Sequence, residues 1–417
     1  MRLPVALRPL EQTQFRLLWT GQAISSAGDG LVPVAMAFAV LRIGGSASQL
    51  GLVLAAGVAS RVMFLLVGGV WADRLPRQLV MLASDLIRAG QQFVIGLVLI
   101  SGAARVWHLV VGAVVFGIAS AFFMPATTGL LPETVPASGL QQANALMGLS
   151  RSATSVVGPA LSGILVTLFG PGWVFIINGF TFLASALSLA LLRLPARPIT
   201  PRESFLRELA TGWHEVASRP WYWLSICSHA LYALAITAFF VLGPVIAARN
   251  LGGPSAWGLI AASLGVGLLV GGLVALRYQP SRPLVVANLA LSLASLELLS
   301  LVPPFPLLVI AASCVIGYGA LSFLNEIYGS TMQQLIPSAV MSRVDAYDSL
   351  ISAIAMPVGY VLAGPTAAHF GERPTLIVAA LLIAVPSSLL IAAPAIRRVR
   401  RLADGTISEV NPAYLPG

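Results

Sequence analysis

Long apolar stretches alternate with short polar segments along almost the whole chain. About 20 apolar residues span the hydrocarbon core of a bilayer as a helix, and twelve stretches reach that length. They run over roughly 16–41, 49–71, 78–101, 107–130, 141–167, 172–193, 221–247, 255–276, 283–301, 305–328, 346–368 and 374–396. The pattern predicts an all-α integral membrane protein with twelve transmembrane helices.

The arginines between the apolar stretches predict how these helices are oriented. If both termini face the cytoplasm, the cytoplasmic segments hold 17 arginines and the external loops hold 4, with the remaining 3 of the 24 inside predicted helices. Basic residues concentrate on the cytoplasmic side of membrane proteins. We therefore expect a multi-pass protein of the plasma (inner) membrane whose two termini are both cytoplasmic.

Composition agrees with a membrane protein and excludes several other classes. The 417 residues are 57% hydrophobic and 9% charged, whereas soluble domains carry about a quarter charged residues. All 24 basic residues are Arg, so the phosphate-binding Lys of a Walker A loop and a Schiff-base Lys are both ruled out. We read the net charge of +9 as a topology signal rather than as nucleic-acid binding, and we expect no enzyme activity, no cofactor and no metal site.

The longest polar stretch lies in the middle of the chain and separates two groups of six predicted helices. The expected domains are an N-terminal bundle, a cytoplasmic linker, a C-terminal bundle and a cytoplasmic tail, over 1–194, 195–220, 221–396 and 397–417. Within the linker, Phe205, Leu209, Trp213 and Val216 recur at helical spacing. This spacing predicts an amphipathic helix at the lipid interface; a packed connector with no role of its own is the alternative.

Two short matches relate the halves to each other. The segment GGVWADR at 68–74 is similar to GGLVALR at 271–277, and Gly158-Pro159 corresponds to Gly364-Pro365. Each match falls at the same place in its six-helix group. Parallel repeats related about the membrane normal are how many secondary transporters build a central site, so we expect two pseudo-symmetric six-helix bundles.

The loop after the second predicted helix resembles that of the major facilitator superfamily. The superfamily pattern G-x-x-x-D-R-x-x-R-[RK] is met by Gly69, Asp73, Arg74 and Arg77, with Gln78 in the last position. The segments FRLLWTGQAISSAGDG, FGIASAFFMPATTGLLPETVP and ANALMGLSRSATSVVGPALSG resemble the drug-exporting branch that includes macrolide efflux proteins and the enterobactin exporter. The resemblance implies the major facilitator fold and an export function.

The same loop has a physical interpretation as a cytoplasmic gate. Gly69 permits close helix approach, and Asp73 can accept hydrogen bonds from a facing helix N-terminus and pair with an arginine such as Arg74 or Arg77. Such a cluster would latch the two halves together on the cytoplasmic side. The alternative is a positive-inside anchor in which Asp73 is incidental.

The fifth predicted helix resembles that of drug/proton antiporters. Gly158, Pro159 and Gly163 match the antiporter motif, whereas Thr154 stands where the motif has a preceding glycine. The fourth helix lacks the intramembrane arginine of the better-known antiporter groups. Proton coupling would therefore use other ionisable groups.

Ionisable residues inside a membrane span are costly and are functional candidates by default. Asp29, near the middle of the first helix, can exchange a proton or pair with a cationic substrate, and Arg61 is its candidate partner. Glu326 and Arg151 are further candidates for proton coupling or substrate binding. Asp85 and Arg88 are expected to pair with each other or with the region around Arg74, and Glu297 is expected to have no special role.

These observations together predict a secondary active transporter that exports amphipathic small molecules or drugs by alternating access, with proton antiport. Its partners would be the small-molecule substrate, protons and the bilayer, with no nucleic acid, and it would act as a monomer. A dedicated exporter of one metabolite, such as a siderophore or an antibiotic, is the main alternative. A nutrient importer and a non-transporting membrane sensor are weaker alternatives.

Overall fold

The fold is described from a computed structural model, which describes residues 4–193 and 217–409. The side chains of residues 5 and 66–74, and of several residues between 338 and 349, lie outside this description. So does the amphipathic helix predicted in the linker. The described residues form two compact units, one of residues 4–193 and 247–262 and the other of residues 217–246 and 263–409.

The first unit consists mainly of six long helices. A short 3-10 helix, Val5–Glu11, precedes them, and two single 3-10 turns connect the fourth to the fifth. The six helices are α1 (Thr13–Arg42), α2 (Ala47–Arg74), α3 (Arg77–Ile100), α4 (Val106–Leu130), α5 (Leu140–Phe169) and α6 (Pro171–Ala190). α6 packs against both α1 and α3, so it lies between them.

The second unit is also helical, but it ends in a small hairpin. Its helices are α7 (Pro220–Ile246), α8 (Pro254–Arg277), α9 (Pro283–Ser292), α10 (Ser295–Leu299), α11 (Leu307–Leu335), α12 (Ser338–Phe370), α13 (Glu372–Leu390) and α14 (Pro394–Arg398). The beginning of α8, up to Ala262, groups with the first unit. Two short antiparallel strands follow, β1 (Val399–Arg401) and β2 (Ile407–Glu409).

Eleven of the described helices are long and apolar enough to cross a membrane. The all-α membrane fold predicted from the hydrophobic pattern is therefore confirmed. The ninth stretch is not the single helix expected over 283–301, and the end of α11 at Leu335 and the start of α12 at Ser338 lie beyond their predicted bounds. The ninth stretch is split into α9 and α10, which together cover Pro283–Leu299.

The break between α9 and α10 has a local cause. The hydroxyl groups of Ser292 and Ser295 donate to the carbonyl oxygens of Leu289 and Ser292, at 2.6 and 2.7 Å. The Leu293 amide donates to Ala290, three residues back, at 2.9 Å. Serine hydroxyls that bond nearby carbonyls compete with the regular helix ladder, so the chain tightens here into a turn.

Both units contain the same glycine corner at corresponding positions. Gly170 joins α5 to α6 with φ 85° and ψ 164°, and Gly371 joins α12 to α13 with φ 94° and ψ 158°. Glycine adopts positive φ without the steric cost that a side chain incurs. The shared corner adds a structural match to the two sequence matches between the halves.

The described segment after α13, up to residue 409, packs on the second unit. Ile396, Val399 and Ile407 are buried in one apolar cluster with Trp221 and Tyr222 at the start of α7. The Ile407 amide donates to the side chain of Gln334 at 2.8 Å, and the Arg401 amide donates to the Ser281 carbonyl at 2.9 Å. The hairpin thus ties the end of α11 to the loop between α8 and α9.

The turn of this hairpin contains an exposed aspartate with a local role. The Asp404 carboxylate accepts hydrogen bonds from the Thr406 hydroxyl at 2.7 Å and from its amide at 2.9 Å. These bonds favour the charged form and lower the pKa of Asp404 from its usual value.

Candidate functional site: a charged cluster in the first unit

Asp29 lies between two glycines of α1 that let neighbouring helices come close. A Cβ atom on Gly28 would be 3.1 Å from the carboxamide carbon of Asn178 on α6. A Cβ atom on Gly30 would be 3.0 Å from the carbonyl oxygen of Thr154 on α5. Small residues at such contacts let membrane helices pack backbone against backbone. The sequence Gly-Asp-Gly therefore places the carboxylate where α1, α5 and α6 converge.

The guanidinium group of Arg88 forms ion pairs with two carboxylates, those of Asp85 and Asp29. Arg88 Nη2 donates to Asp85 Oδ1 one turn earlier on α3, and Arg88 Nη1 lies 3.9 Å from Asp29 Oδ2 on α1. The expected pairing of Asp85 with Arg88 is therefore present, and Asp29 extends it to a cluster of three charges. Arg88 reaches α1 from α3 because α6, which lies between them, presents small and polar residues such as Asn178 and Ser185.

Aromatic rings fix the position of the guanidinium. The central carbon of the Arg88 guanidinium lies 4.1 Å from the ring centre of Phe123 and 4.4 Å from that of Phe182. Cations attract the faces of aromatic rings at this distance, most strongly where water is excluded. The two rings, from α4 and α6, thus stabilise the charge of Arg88 and shield it from solvent.

Neutral polar side chains surround the carboxylates. Asn178 lies beside Asp29, and Ser185 lies beside Asp85. Gln22 on α1 donates to the Ser185 hydroxyl at 3.4 Å. These groups provide dipoles around the charges without adding a second positive charge.

The two carboxylates differ in accessibility. The side chain of Asp85 is 0% exposed and that of Arg88 is 5% exposed, whereas that of Asp29 is 38% exposed. One guanidinium can neutralise only one carboxylate, and the close contact is with Asp85. Asp29 therefore carries the unbalanced negative charge of the cluster on a surface that solvent or a ligand can reach.

The predicted partner of Asp29 is wrong, since the structure places Arg88 and not Arg61 beside it. Arg61 is exposed on α2 and forms no ion pair with any side chain that the structure describes. The arginine that reaches Asp29 is on α3, because α6 connects α3 to α1 in the packing of the unit. Sequence spacing cannot show a contact that depends on a third helix.

The other candidate residues lie apart from this cluster. Arg151 is exposed on α5, and its Nε group donates to the Met147 carbonyl at 3.4 Å. Glu326 is exposed on α11 in the second unit. Roles for Arg151 and Glu326 in coupling or substrate binding stay predictions.

Only one side chain of the predicted cytoplasmic gate is described. Arg77 Nη1 donates to Glu133 Oε1 at 2.9 Å and to the Gly129 carbonyl at 2.8 Å, which ties the start of α3 to the end of α4. The contacts of Gly69 and the side chains of Asp73 and Arg74 lie outside the description. The latch therefore stays a prediction, and the described contacts of Arg77 are within the first unit.

The α5 motif makes close backbone contacts on two sides. A Cβ atom on Gly158 would be 2.8 Å from the Gly30 Cα atom, and one on Gly163 would be 2.6 Å from the Pro254 carbonyl oxygen. The carbonyl oxygen of Pro159 lies against Gly258 at the beginning of α8, 2.6 Å from where a Cβ atom would stand. The motif thus seats α5 against α1 and against the part of α8 that belongs to the first unit.

A second ionisable pair lies in the second unit. His229 Nδ1 on α7 is 3.5 Å from Asp348 Oδ1 on α12, and the His229 ring meets the Tyr328 ring edge to face at 4.8 Å. No group of three or more potential metal ligands occurs among the described residues.

Comparison with known proteins places the chain in a family. Residues 5–408 match the family model described as "Transmembrane secretion effector", within the major facilitator superfamily. The chain is 24% identical to macrolide efflux protein A of Streptococcus pyogenes over 396 residues, which cover 93% of this chain and 97% of that protein. It is 28% identical to the multidrug efflux pump Tap of Mycolicibacterium fortuitum over 373 residues, or 86% and 90% of the two chains.

Solved transporter structures share the fold at low sequence identity. A bacterial homologue of the human lysosomal transporter Spinster has a TM-score of 0.70 at 16% identity, covering 94% of this chain and 97% of that one. The nucleoside transporter NupG has a TM-score of 0.71 at 12% identity, covering 91% and 98%. The relatives are transporters and not enzymes. The chain belongs to the transmembrane secretion effector family of the major facilitator superfamily and is a multi-pass membrane transporter.

Proposed function

We propose that this transporter exports cationic amphipathic small molecules in exchange for protons, by alternating access. The observation that carries the proposal is that Asp29 and Asp85 share the single guanidinium of Arg88 while Asp29 alone is accessible. Its unbalanced charge needs a positive partner. The names of the macrolide and multidrug efflux relatives support export as the direction.

The exchange follows from competition for one carboxylate. A cationic substrate pairs with Asp29 and replaces water around it, and the low-dielectric surroundings strengthen the attraction. When the substrate has left, a proton binds to an Asp29 oxygen and removes the charge. Since proton and substrate neutralise the same group, binding of one disfavours the other, which is the requirement for antiport.

Arg88 has a positioning role in this mechanism. It keeps the buried Asp85 neutralised, and the rings of Phe123 and Phe182 hold it in place. Leaving either partner of such a buried pair alone is strongly unfavourable. Arg88 thus stays bound to Asp85 while Asp29 changes partners.

The membrane orientation that we propose follows from the arginine distribution, and the monomeric state is a separate part of the proposal. The transporter works as a monomer in the plasma membrane, with both termini in the cytoplasm, and does not bind nucleic acid. Glu326 of the second unit is a further candidate for proton coupling or substrate binding.

The test compares wild type with Asp29→Asn and Asp29→Glu in inverted membrane vesicles, using a panel of cationic and neutral amphipathic compounds with and without a proton gradient. We expect Asp29→Asn to reduce transport of the cationic compounds by a factor of roughly 10 to 150, the effect of losing a charged contact of about 1.5–3 kcal/mol. Transport of the neutral compounds should fall less, and Asp29→Glu should retain part of the transport of the cationic compounds.

A second measurement isolates coupling from transport. Purified protein should release protons when a cationic substrate binds, and Asp29→Asn should release fewer. Equal proton release and equal cation transport in wild type and Asp29→Asn would show that Asp29 is structural and that Glu326 is the next residue to test.

A further inference from the structure

Glu297 is a buried carboxyl group that the mechanism above does not use. It lies on α10 in the second unit and is 0% exposed. Neither of its carboxylate oxygens has a hydrogen-bond partner among the described residues. An isolated ionised carboxylate in such a place is very costly, because neither water nor a hydrogen-bond donor stabilises its charge.

The space around Glu297 is shaped to hold this side chain. A Cβ atom on Gly317 of α11 would be 2.8 Å from Glu297 Cγ and 2.9 Å from its carboxyl carbon. Any residue larger than glycine at position 317 would therefore displace the carboxyl group. α11 thus leaves space for the Glu297 carboxyl group but forms no hydrogen bond with it.

The groups that face Glu297 are acidic or neutral. α10 packs against α7, α11 and α13. Glu297 interacts electrostatically with Tyr232 on α7 and with Cys314 and Tyr318 on α11. Tyr360 on α12 interacts in the same way with Tyr232 and Tyr318.

The remaining neighbour of α10 is α13, whose one arginine, Arg373, lies at the start of the helix, is exposed, and forms no hydrogen bond with Glu297. From residue 374 to residue 390, α13 carries no ionisable side chain. A counter-ion that would hold Glu297 in its charged form is therefore absent from these faces.

Glu297 also follows directly after the break in the ninth predicted helix. Interrupted membrane helices are where secondary transporters bind their coupling ions, because the break frees polar groups inside the membrane. A metal cation needs several ligands, and no group of three or more carboxylate, histidine or cysteine side chains that could hold one occurs among the described residues. A proton needs only the carboxylate itself.

We propose that Glu297 is a second proton-binding site, located in the second unit and separate from the Asp29 cluster. The buried arrangement holds Glu297 as a neutral carboxylic acid. When the conformational cycle exposes it to water, the O–H bond breaks, the proton passes to water and the carboxylate remains. Reburial requires that a proton bind again. This proposal rests on proton-coupled transport as proposed above and adds a second proton to the cycle.

The test uses infrared spectroscopy on the purified full-length protein at neutral pH, in H₂O and in D₂O. A protonated carboxylic acid has a C=O stretching band that shifts in D₂O. We expect one component of this band to be present in wild type and in Asp29→Asn and to be lost in Glu297→Gln, whereas a protonated Asp29 contributes a separate component that Asp29→Asn removes. Glu326→Gln is the matched control, because it makes the same substitution at an exposed glutamate of the same unit and should leave the component lost in Glu297→Gln unchanged.

A second measurement tests whether Glu297 releases its proton when a substrate binds. Addition of a cationic substrate to wild type should change the Glu297 band and release protons, and Glu297→Gln should release fewer protons per substrate. Gln is neutral and similar in size, so thermal unfolding of Glu297→Gln should match wild type, and Glu297→Met serves as a second neutral variant if it does not.

Two results would overturn the proposal. Spectra of wild type that lack any band removed by both Glu297 variants would show that Glu297 is ionised. A band that is present but insensitive to every substrate that releases protons would show a structural acid. If the protein releases no protons with any substrate and the Glu297 band is still found, the proposed antiport fails while the buried acid stands.

Discussion

Gly30 of α1 and Gly158 of α5 lie so close together that a Cβ atom on Gly158 would be 2.8 Å from the Cα atom of Gly30. The Ser162 hydroxyl, one turn further along α5, donates to the Leu31 carbonyl at 2.6 Å. This contact seats α5 beside Asp29. The glycine of a motif that resembles antiporters therefore supports the charged cluster directly.

Gly158→Ala should destabilise the first unit, because the new methyl group would meet the α1 backbone, which cannot move aside as a side chain can. Overpacking of this kind costs about 1–3 kcal/mol. Gly148→Ala is the matched control on the same helix, since a Cβ atom there has no neighbour within 4 Å. Thermal unfolding of the purified variants measures the difference. Equal stability of the two variants would contradict the close contact.

Arg88→Met should be strongly destabilising, because Asp85 would remain buried without its counter-ion. Breaking a buried pair from one side costs about 3–5 kcal/mol. The double variant Asp85→Asn with Arg88→Met should recover much of that stability but should transport poorly, since Asp29 loses its positioning partner. Arg61→Met, at an exposed arginine, is the control in the same thermal unfolding assay. A double variant as unstable as the single one would show that Asp85 and Arg88 are not coupled.

The pair Arg77 and Glu133 should contribute little to stability. Both side chains are partly exposed, at 29% and 17%, and ion pairs in contact with solvent contribute about 0–1 kcal/mol. A double-mutant cycle with Arg77→Gln and Glu133→Gln measures the coupling by denaturant unfolding, and added salt should reduce it. A coupling well above that range would mean that the pair is screened from solvent.

Ile407→Ala should destabilise the second unit, because Ile407 is buried in the cluster with Trp221 and Tyr222. Truncating a buried isoleucine to alanine costs about 2–5 kcal/mol. Leu402→Ala removes a similar side chain from the turn of the same hairpin, where Leu402 is exposed, and should change stability by less than about 0.5 kcal/mol. Thermal unfolding with tryptophan fluorescence as the signal compares the two variants. Equal effects would indicate that the hairpin does not pack on α7.

The long apolar stretches determined the membrane fold, because a bilayer demands about 20 apolar residues for each helix irrespective of how the helices pack. Eleven of the stretches are long helices within a few residues of their predicted bounds, apart from the start of α12 at Ser338 and the end of α11 at Leu335. The loop motif of Gly69, Asp73, Arg74 and Arg77 identified the superfamily. The Asp85 and Arg88 pair was also predictable, since residues three apart on a helix lie on one face.

The tertiary structure decided the rest, because those features depend on contacts between residues far apart in the chain. Arg88 rather than Arg61 reaches Asp29, since α6 lies between α1 and α3 and presents small polar residues to both. The burial of Glu297 depends on Gly317 of the facing helix, and the hairpin is held by a cluster that α7 provides. Hydrophobic pattern fixes which residues enter the membrane, whereas the partner of each buried charge is fixed only by which helices pack together.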